Sequence, residues 1–171
     1  MSGITRTTSL NILGVTLTAS QSVSDHIRGV QSNCSQTLYA IRVLRSHGLS
    51  EAGLQTVFQS VIMAKLLYAS SAWSGFATAA DRQRVNTFLC RSKRWGFCRP
   101  DTSTFEVLLE NSDQQLFRKI VNNMQHVLHS LLPPPSSATQ HYELRQRTHN
   151  RELPDHTDSN FLTRMLYNDT Y

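Results

Sequence analysis

The run Cys90-Arg91-Ser92-Lys93-Arg94-Trp95-Gly96-Phe97-Cys98-Arg99 crowds four cations and two aromatic rings into ten residues. Cations hold phosphates and rings stack on bases or sugars, so the chemistry this mixture serves is nucleic-acid binding. Arg82 and Arg84 add charge one or two turns earlier. The same residues also fit a plainer arrangement, with Trp95 and Phe97 in a core and the charges in water. A second basic row is formed by Arg28 and Arg42, which on one helix lie within about 40° and roughly 21 Å of each other. Arg45 extends it. Such a row can follow a phosphate backbone without reading sequence, and the snorkelling side chains of a solvated helix face have the same spacing.

Other chemistry is poorly supplied. His126 and His129 stand at i, i+3, but there is no HExxH glutamate and no third ligand at a sensible spacing. Cys34, Cys90 and Cys98 are odd in number and lack a CxxC unit, which points to reduced thiols. Glycine-rich phosphate loops are absent, and Asp169 in the ending YNDTY is a single carboxylate that cannot hold two metal ions. No residue constellation recommends a small enzyme.

The 171 residues carry a formal net charge of +5, and 39% are hydrophobic, enough for one core and some excess. A basic balance favours acidic partners, nucleic acid first. Neutralising about five phosphates would make affinity fall roughly as the −4.5 power of salt concentration. The N-terminus has no apolar h-region. The most apolar stretch, VIMAKLLYA, is too short to span a bilayer and carries Lys65. These features lead us to expect an intracellular protein, nuclear or cytoplasmic, with no secretion signal and no membrane association.

The elements that must position the basic residues are mostly helical. Residues 9–17 read as one strand, SLNILGVTL, with Gly14 marking a bulge or close approach. Val23, Ile27, Val30, Cys34, Leu38, Ile41 and Leu44 then recur at helical steps. Ser24 is the expected N-cap and Gly48 the C′ residue. Ser50 caps a second, central helix with a stripe of Leu54, Val57, Phe58, Val61, Ile62, Leu66 and Ala69, ending at Gly75. Thr78 opens a third through Val85, Phe88, Leu89 and Trp95, closed near Gly96. STFE (103–106) and SDQQ (112–115) both match the capping box, which predicts a short helix over 104–110 and a longer one over 113–132. Prolines 133–135 end regular structure, and Phe161, Leu162, Met165, Leu166 and Tyr167 suit a short docked helix.

The order of these phrases resembles the segment that follows the palm in jockey-like non-LTR retrotransposon reverse transcriptases. Its marks are the LGV strand at 13–15, Asp25-His26 entering a long helix, and the closing phrase Leu44-Arg45-Ser46-His47-Gly48-Leu49. FQSVIMAKLLYASSAW, with Tyr68, Ala69 and Trp73, is similar to the family's thumb, and LRQRTHNRELP with SNFLTRMLY to its C-terminal tail. The resemblance covers nearly the whole chain after the first eight residues.

The resemblance implies a mainly α fold: a thumb-like bundle of about four to five helices after one orphan β-strand or short ribbon. It divides the chain into a palm-sheet remnant (1–19), a helical thumb-like domain (20–132), and a proline-rich linker and tail (133–171). It also implies that residues 9–17 are extended but poorly paired, their partner being a palm hairpin upstream of Met1. The task implied is gripping RNA, DNA or an RNA–DNA hybrid through backbone contacts, by Arg28, Arg42, Arg45, Arg91, Lys93 and Arg94. The palm aspartates are not among these residues, so no catalytic residue is carried over and the chain alone is expected to be inactive. No cofactor is expected here, Mg2+ belonging only to the complete polymerase. Self-association through exposed apolar surface is a further expectation. The alternative is a helical protein-interaction module with no nucleic-acid role.

Overall fold

The computed structural model describes residues 7–136, 149–154 and 159–168. It is mainly helical, with a short two-stranded antiparallel sheet ahead of the helices. The chain forms two compact units, residues 1–109 and 110–171.

The first unit opens with strands β1 (Ser9–Ile12) and β2 (Val15–Thr18), paired in the register Leu10↔Leu17 and Ile12↔Val15. The expected single strand is therefore a hairpin folded on itself, and Gly14 is a turn rather than a bulge. Leu13 and Gly14 have φ of 48° and 85°, the left-handed pair that a two-residue hairpin loop requires. The Asn11 carboxamide oxygen accepts the Gly14 amide at 3.1 Å and closes the loop.

Helix α1 spans Ser24–Ser46 with Val23 as its N-cap. Ser24 is thus the first helical residue rather than the cap, and its hydroxyl is used elsewhere, as described below. At the other end the Leu49 amide reaches the Leu44 carbonyl and the Gly48 amide reaches that of Arg45, with Gly48 at φ 90°. This is the Schellman closure that the glycine foreshadowed.

Ser50 caps the next helical rod by accepting the Gly53 amide. The rod runs as α2 (Glu51–Val57), a π-helical segment (Phe58–Met63) and α3 (Ala64–Leu67). It ends well before Gly75. Tyr68 leaves the helix and Ala69 adopts φ 50°, after which α4 (Ser70–Trp73) and a 3-10 turn (Ser74–Phe76) begin. The indole of Trp73 donates to the Tyr68 carbonyl at 3.0 Å, and the Tyr68 hydroxyl donates to the Leu13 carbonyl at 3.2 Å.

Helix α5 (Ala79–Arg94) starts in a complete capping box of Thr78 and Asp81. It closes like α1, with the Phe97 amide on the Ser92 carbonyl and Gly96 at φ 73°. The core of the first unit gathers Ile27, Cys34, Leu38, Ile41, Phe58, Ile62, Met63, Trp73, Val85, Leu89, Phe97 and Phe105, each buried.

Helix α6 (Phe105–Asn122) is continuous where two helices were expected. A capping box at Ser112 needs that residue out of helical geometry. No glycine or proline breaks the stretch, and Leu109, Asp113, Phe117 and Ile120 keep one buried face in phase. The charge this places on that face is answered in the second unit, where Arg164 meets Asp113 at 3.0 Å. The helix also stops ten residues early: Met124, Val127 and Leu131 are exposed, and a 3-10 turn at His129–Leu131 follows.

The rest of the second unit is built around Phe117, Ile120, Leu132, Met165 and Leu166. Helix α7 (Phe161–Tyr167), capped by Asn160, supplies the last two. Pro135 and Arg151 form an isolated antiparallel bridge. Residues 1–6 and the first five residues of the LRQRTHNRELP phrase (144–148) lie outside the described residues. No helix among the described residues is long and apolar enough to cross a membrane.

Candidate nucleic-acid interface

The C-terminal ends of α1 and α5 meet through arginines. Arg45 donates from Nη1 to the Trp95 carbonyl at 2.8 Å, and its guanidinium carbon stands 4.3 Å from the Phe97 ring centroid. Arg42 lies over the indole of Trp95, at 4.0 Å from the ring centroid. The two aromatics of the basic run thus have opposite fates. Gly96 turns the chain back on α5, which sends Phe97 wholly into the core and leaves Trp95 42% exposed.

Beside Trp95 is a surface depression of about 180 Å³, lined by Leu38, Tyr39 and Arg42 of α1 with Phe88 and Arg91 of α5. A second depression, about 290 Å³, lies against Arg91 and Arg94. Arg42, Arg45, Arg91 and Arg94 are brought to one part of the surface, and none of the four makes an ion pair among the described residues.

The other predicted residues are elsewhere or occupied. Arg28 sits nearly five turns back along α1, paired with Asp25 at 3.0 Å. Lys93 donates its ammonium to the Thr102 carbonyl, which pins the 99–104 loop to α5. Arg45 is tied to the Trp95 carbonyl, so part of its work is holding two helix ends together. Arg82 donates to the Ser74 carbonyl, Arg84 pairs with Asp81 and Arg99 with Asp101. Tyr39, 68% exposed on the rim of the notch, escaped the sequence reading. Its partners come from a helix some fifty residues on, a distance no periodicity reports.

The α1–α5 pairing is fixed at its other end by Asp81. This carboxylate is buried and accepts the Ser24 hydroxyl at 2.7 Å and the Thr78 hydroxyl at 2.6 Å, with Arg84 at 3.4 Å. Burial works against its ionisation more than any single contact favours it. The Ser24 and Thr78 hydroxyls, the Thr78 amide and Arg84 together outweigh burial and hold the carboxyl below its usual 3.8. A depressed native value means that its contribution is complete above the ordinary value and is lost as pH falls through the native one. Asp81→Asn is expected to cost about 1–3 kcal/mol at neutral pH, because buried donors lose a charged acceptor. In thermal melts the gap from the parent should close progressively below pH 3.8.

The remaining titratable side chains have local roles. His26, buried and lowered by that burial, accepts the Thr16 amide at 3.5 Å and meets Trp73 edge-on. Burial pushes the Cys34 thiol up to about 11. His126 accepts the Leu128 amide, and the His129 ring bonds the Ile120 carbonyl at 2.7 Å, so both rings already have backbone partners. No group of three or more His, Cys, Asp or Glu suited to a metal ion occurs among the described residues. In comparisons with known proteins, no family model, curated protein or solved structure matches this chain.

Proposed function

We propose that this chain is the thumb-like segment of an RNA-directed DNA polymerase of the non-LTR retrotransposon type, acting in the nucleus or cytoplasm. It grips a template–primer duplex through the phosphate backbone and supplies no catalytic group. The observation that carries this reading is that Arg42 and Arg91 stand beside the exposed ring of Trp95 and Arg94 shares the neighbouring depression with Arg91, none of the three in an ion pair among the described residues. Three charges that gain no protein carboxylate are free to displace counterions from a polyanion.

The test is fluorescence anisotropy with a labelled RNA–DNA hybrid at roughly 50 and 200 mM salt. Three phosphate contacts give a log–log slope near −2.7, or about fortyfold weaker binding over that range. Binding indifferent to salt, or none at low salt, overturns the reading.

The protein-interaction reading draws on a different observation. All of β1 is exposed, and Leu10, Ile12 and Leu13 present apolar surface at the hairpin. A partner held there would be indifferent to the charges at the far ends of α1 and α5.

A further inference from the structure

We infer that the notch between α1 and α5 takes one unpaired nucleotide, its base against Tyr39 and the Arg42–Trp95 stack and its phosphate on Arg91. The inference deepens the nucleic-acid reading and rests on it. It follows from what lines the depression: two exposed aromatic side chains and two arginines around a floor of Leu38 and Phe88.

In a duplex the base faces are covered by their neighbours in the stack, and only phosphates and groove edges reach a protein. A purely backbone-gripping surface has no use for exposed rings. Here Tyr39 is 68% and Trp95 42% exposed, in a fold that has buried its other tryptophan almost completely. Aromatic faces and guanidinium planes are the surfaces on which extruded or single-stranded bases stack. Arg42 already presents such a plane, laid over the indole at 4.0 Å. The depression, about 180 Å³, suits a single base and not a groove-spanning element. Arg91 lines both this notch and the neighbouring depression that carries Arg94. The next phosphate along the strand therefore has a cation waiting. Charge complementarity thus selects a nucleotide over a neutral aromatic ligand.

The experiment compares three probes on the full chain: an oligo(dT) 12-mer, a 12-mer of abasic sites with the same phosphates, and a blunt RNA–DNA hybrid. The parent should bind oligo(dT) about tenfold more tightly than the abasic strand, the scale of one stacked base. Tyr39→Ala and Trp95→Ala should each remove that preference, and Tyr39→Ala should leave hybrid binding unchanged. Trp95 emission should be quenched by oligo(dT) and not by the abasic strand, with the quench lost in Trp95→Phe. Equal affinity for base-bearing and abasic strands in a chain that still grips the hybrid overturns this inference and leaves the duplex reading standing. Oligo(dT) binding that depends on Tyr39 and Trp95, with no salt-sensitive hybrid binding, supports the notch and overturns the duplex grip. Binding of none of the three overturns both. Both side chains are exposed, and melts of the variants establish that the fold is kept.

Discussion

Reversing Arg91 and Arg94 together to Glu is expected to weaken binding to an RNA–DNA hybrid about a hundredfold at low salt. Each lost solvent-exposed contact is worth about 0.7 kcal/mol, and each reversed site also repels a phosphate by a similar amount. The log–log salt slope should become shallower by about 1.8, since two released counterions no longer contribute. Lys93 is left intact, because its ammonium is bound to the Thr102 carbonyl and its reversal would disturb the 99–104 loop. Arg91 and Arg94 are exposed and sit in the last turn of α5, where they favour the helix dipole. Some loss of stability, about 0.3–1 kcal/mol per site, is therefore expected alongside. The double Gln variant separates the two effects: it removes the contacts without the repulsion and should lose about tenfold. Full-strength hybrid binding in the double Glu variant would remove the nucleic-acid role from this surface. A partner held at the hairpin should be unaffected by either variant.

Trp73→Ala is expected to cost about 3–5 kcal/mol of unfolding free energy, the range for deleting a large aromatic from a core. Trp73 is 2% exposed, its ring 5.5 Å from His26 edge-on and stacked 6.4 Å from Phe105. It also closes the elbow at Tyr68 and Ala69. A non-glycine residue at φ 50° costs about 1–2 kcal/mol, and here the indole hydrogen bond to the Tyr68 carbonyl helps to hold it. Opening that elbow also releases the Tyr68 hydroxyl from the hairpin turn at Leu13. Against a total stability of about 5–15 kcal/mol, such a loss leaves a marginal protein. Trp73→Phe keeps most of the ring and loses the N–H donor, so about 1–2 kcal/mol is expected. Urea unfolding followed by far-ultraviolet circular dichroism measures both. A Trp73→Ala variant within 1 kcal/mol of the parent would mean that the elbow is held by other contacts.

Where a local rule decided the outcome, the sequence was legible. The ends of α1 and α5 were marked by Gly48 and Gly96, because left-handed closure strongly favours glycine and the flanking apolar phase ends there. The opening of α5 was marked by Thr78, and that of the second rod by Ser50. The misses share a cause: a residue outside the window settled the conformation. SDQQ satisfies a capping pattern, yet Asp113 stays in mid-helix because Arg164 meets it in the fold. Residues 9–17 fold into a hairpin although Leu13-Gly14 is a poor match to the Asn-Gly turn signal, with Asn11 helping from two positions earlier. The basic candidates were visible as types. Which of them are free was not, since the carbonyls of Thr102, Ser74 and Trp95 that occupy Lys93, Arg82 and Arg45 have no signature in sequence.

The π-helical segment at Phe58–Met63 changes which side of the central rod faces the core. Phe58, Ile62 and Met63 are all buried there, with two neighbours in sequence facing inward together. Such a segment is equivalent to one residue inserted into an α-helix, so it stores a change of phase of about 100° between the two halves of the rod. The half before it presents Leu54, and the half after it presents Leu66 and leads into the Tyr68–Trp73 elbow. Deleting a single residue inside 58–63 would let the hydrogen bonds return to ordinary α-helical spacing while Leu66 and the elbow keep their angle to the core, so the loss would be one inward side chain and not the phase of the rod. In a lineage of such chains, this is where a one-codon deletion would be absorbed most readily, whereas one in the flanking α-helical turns would rotate everything after it by about 100°.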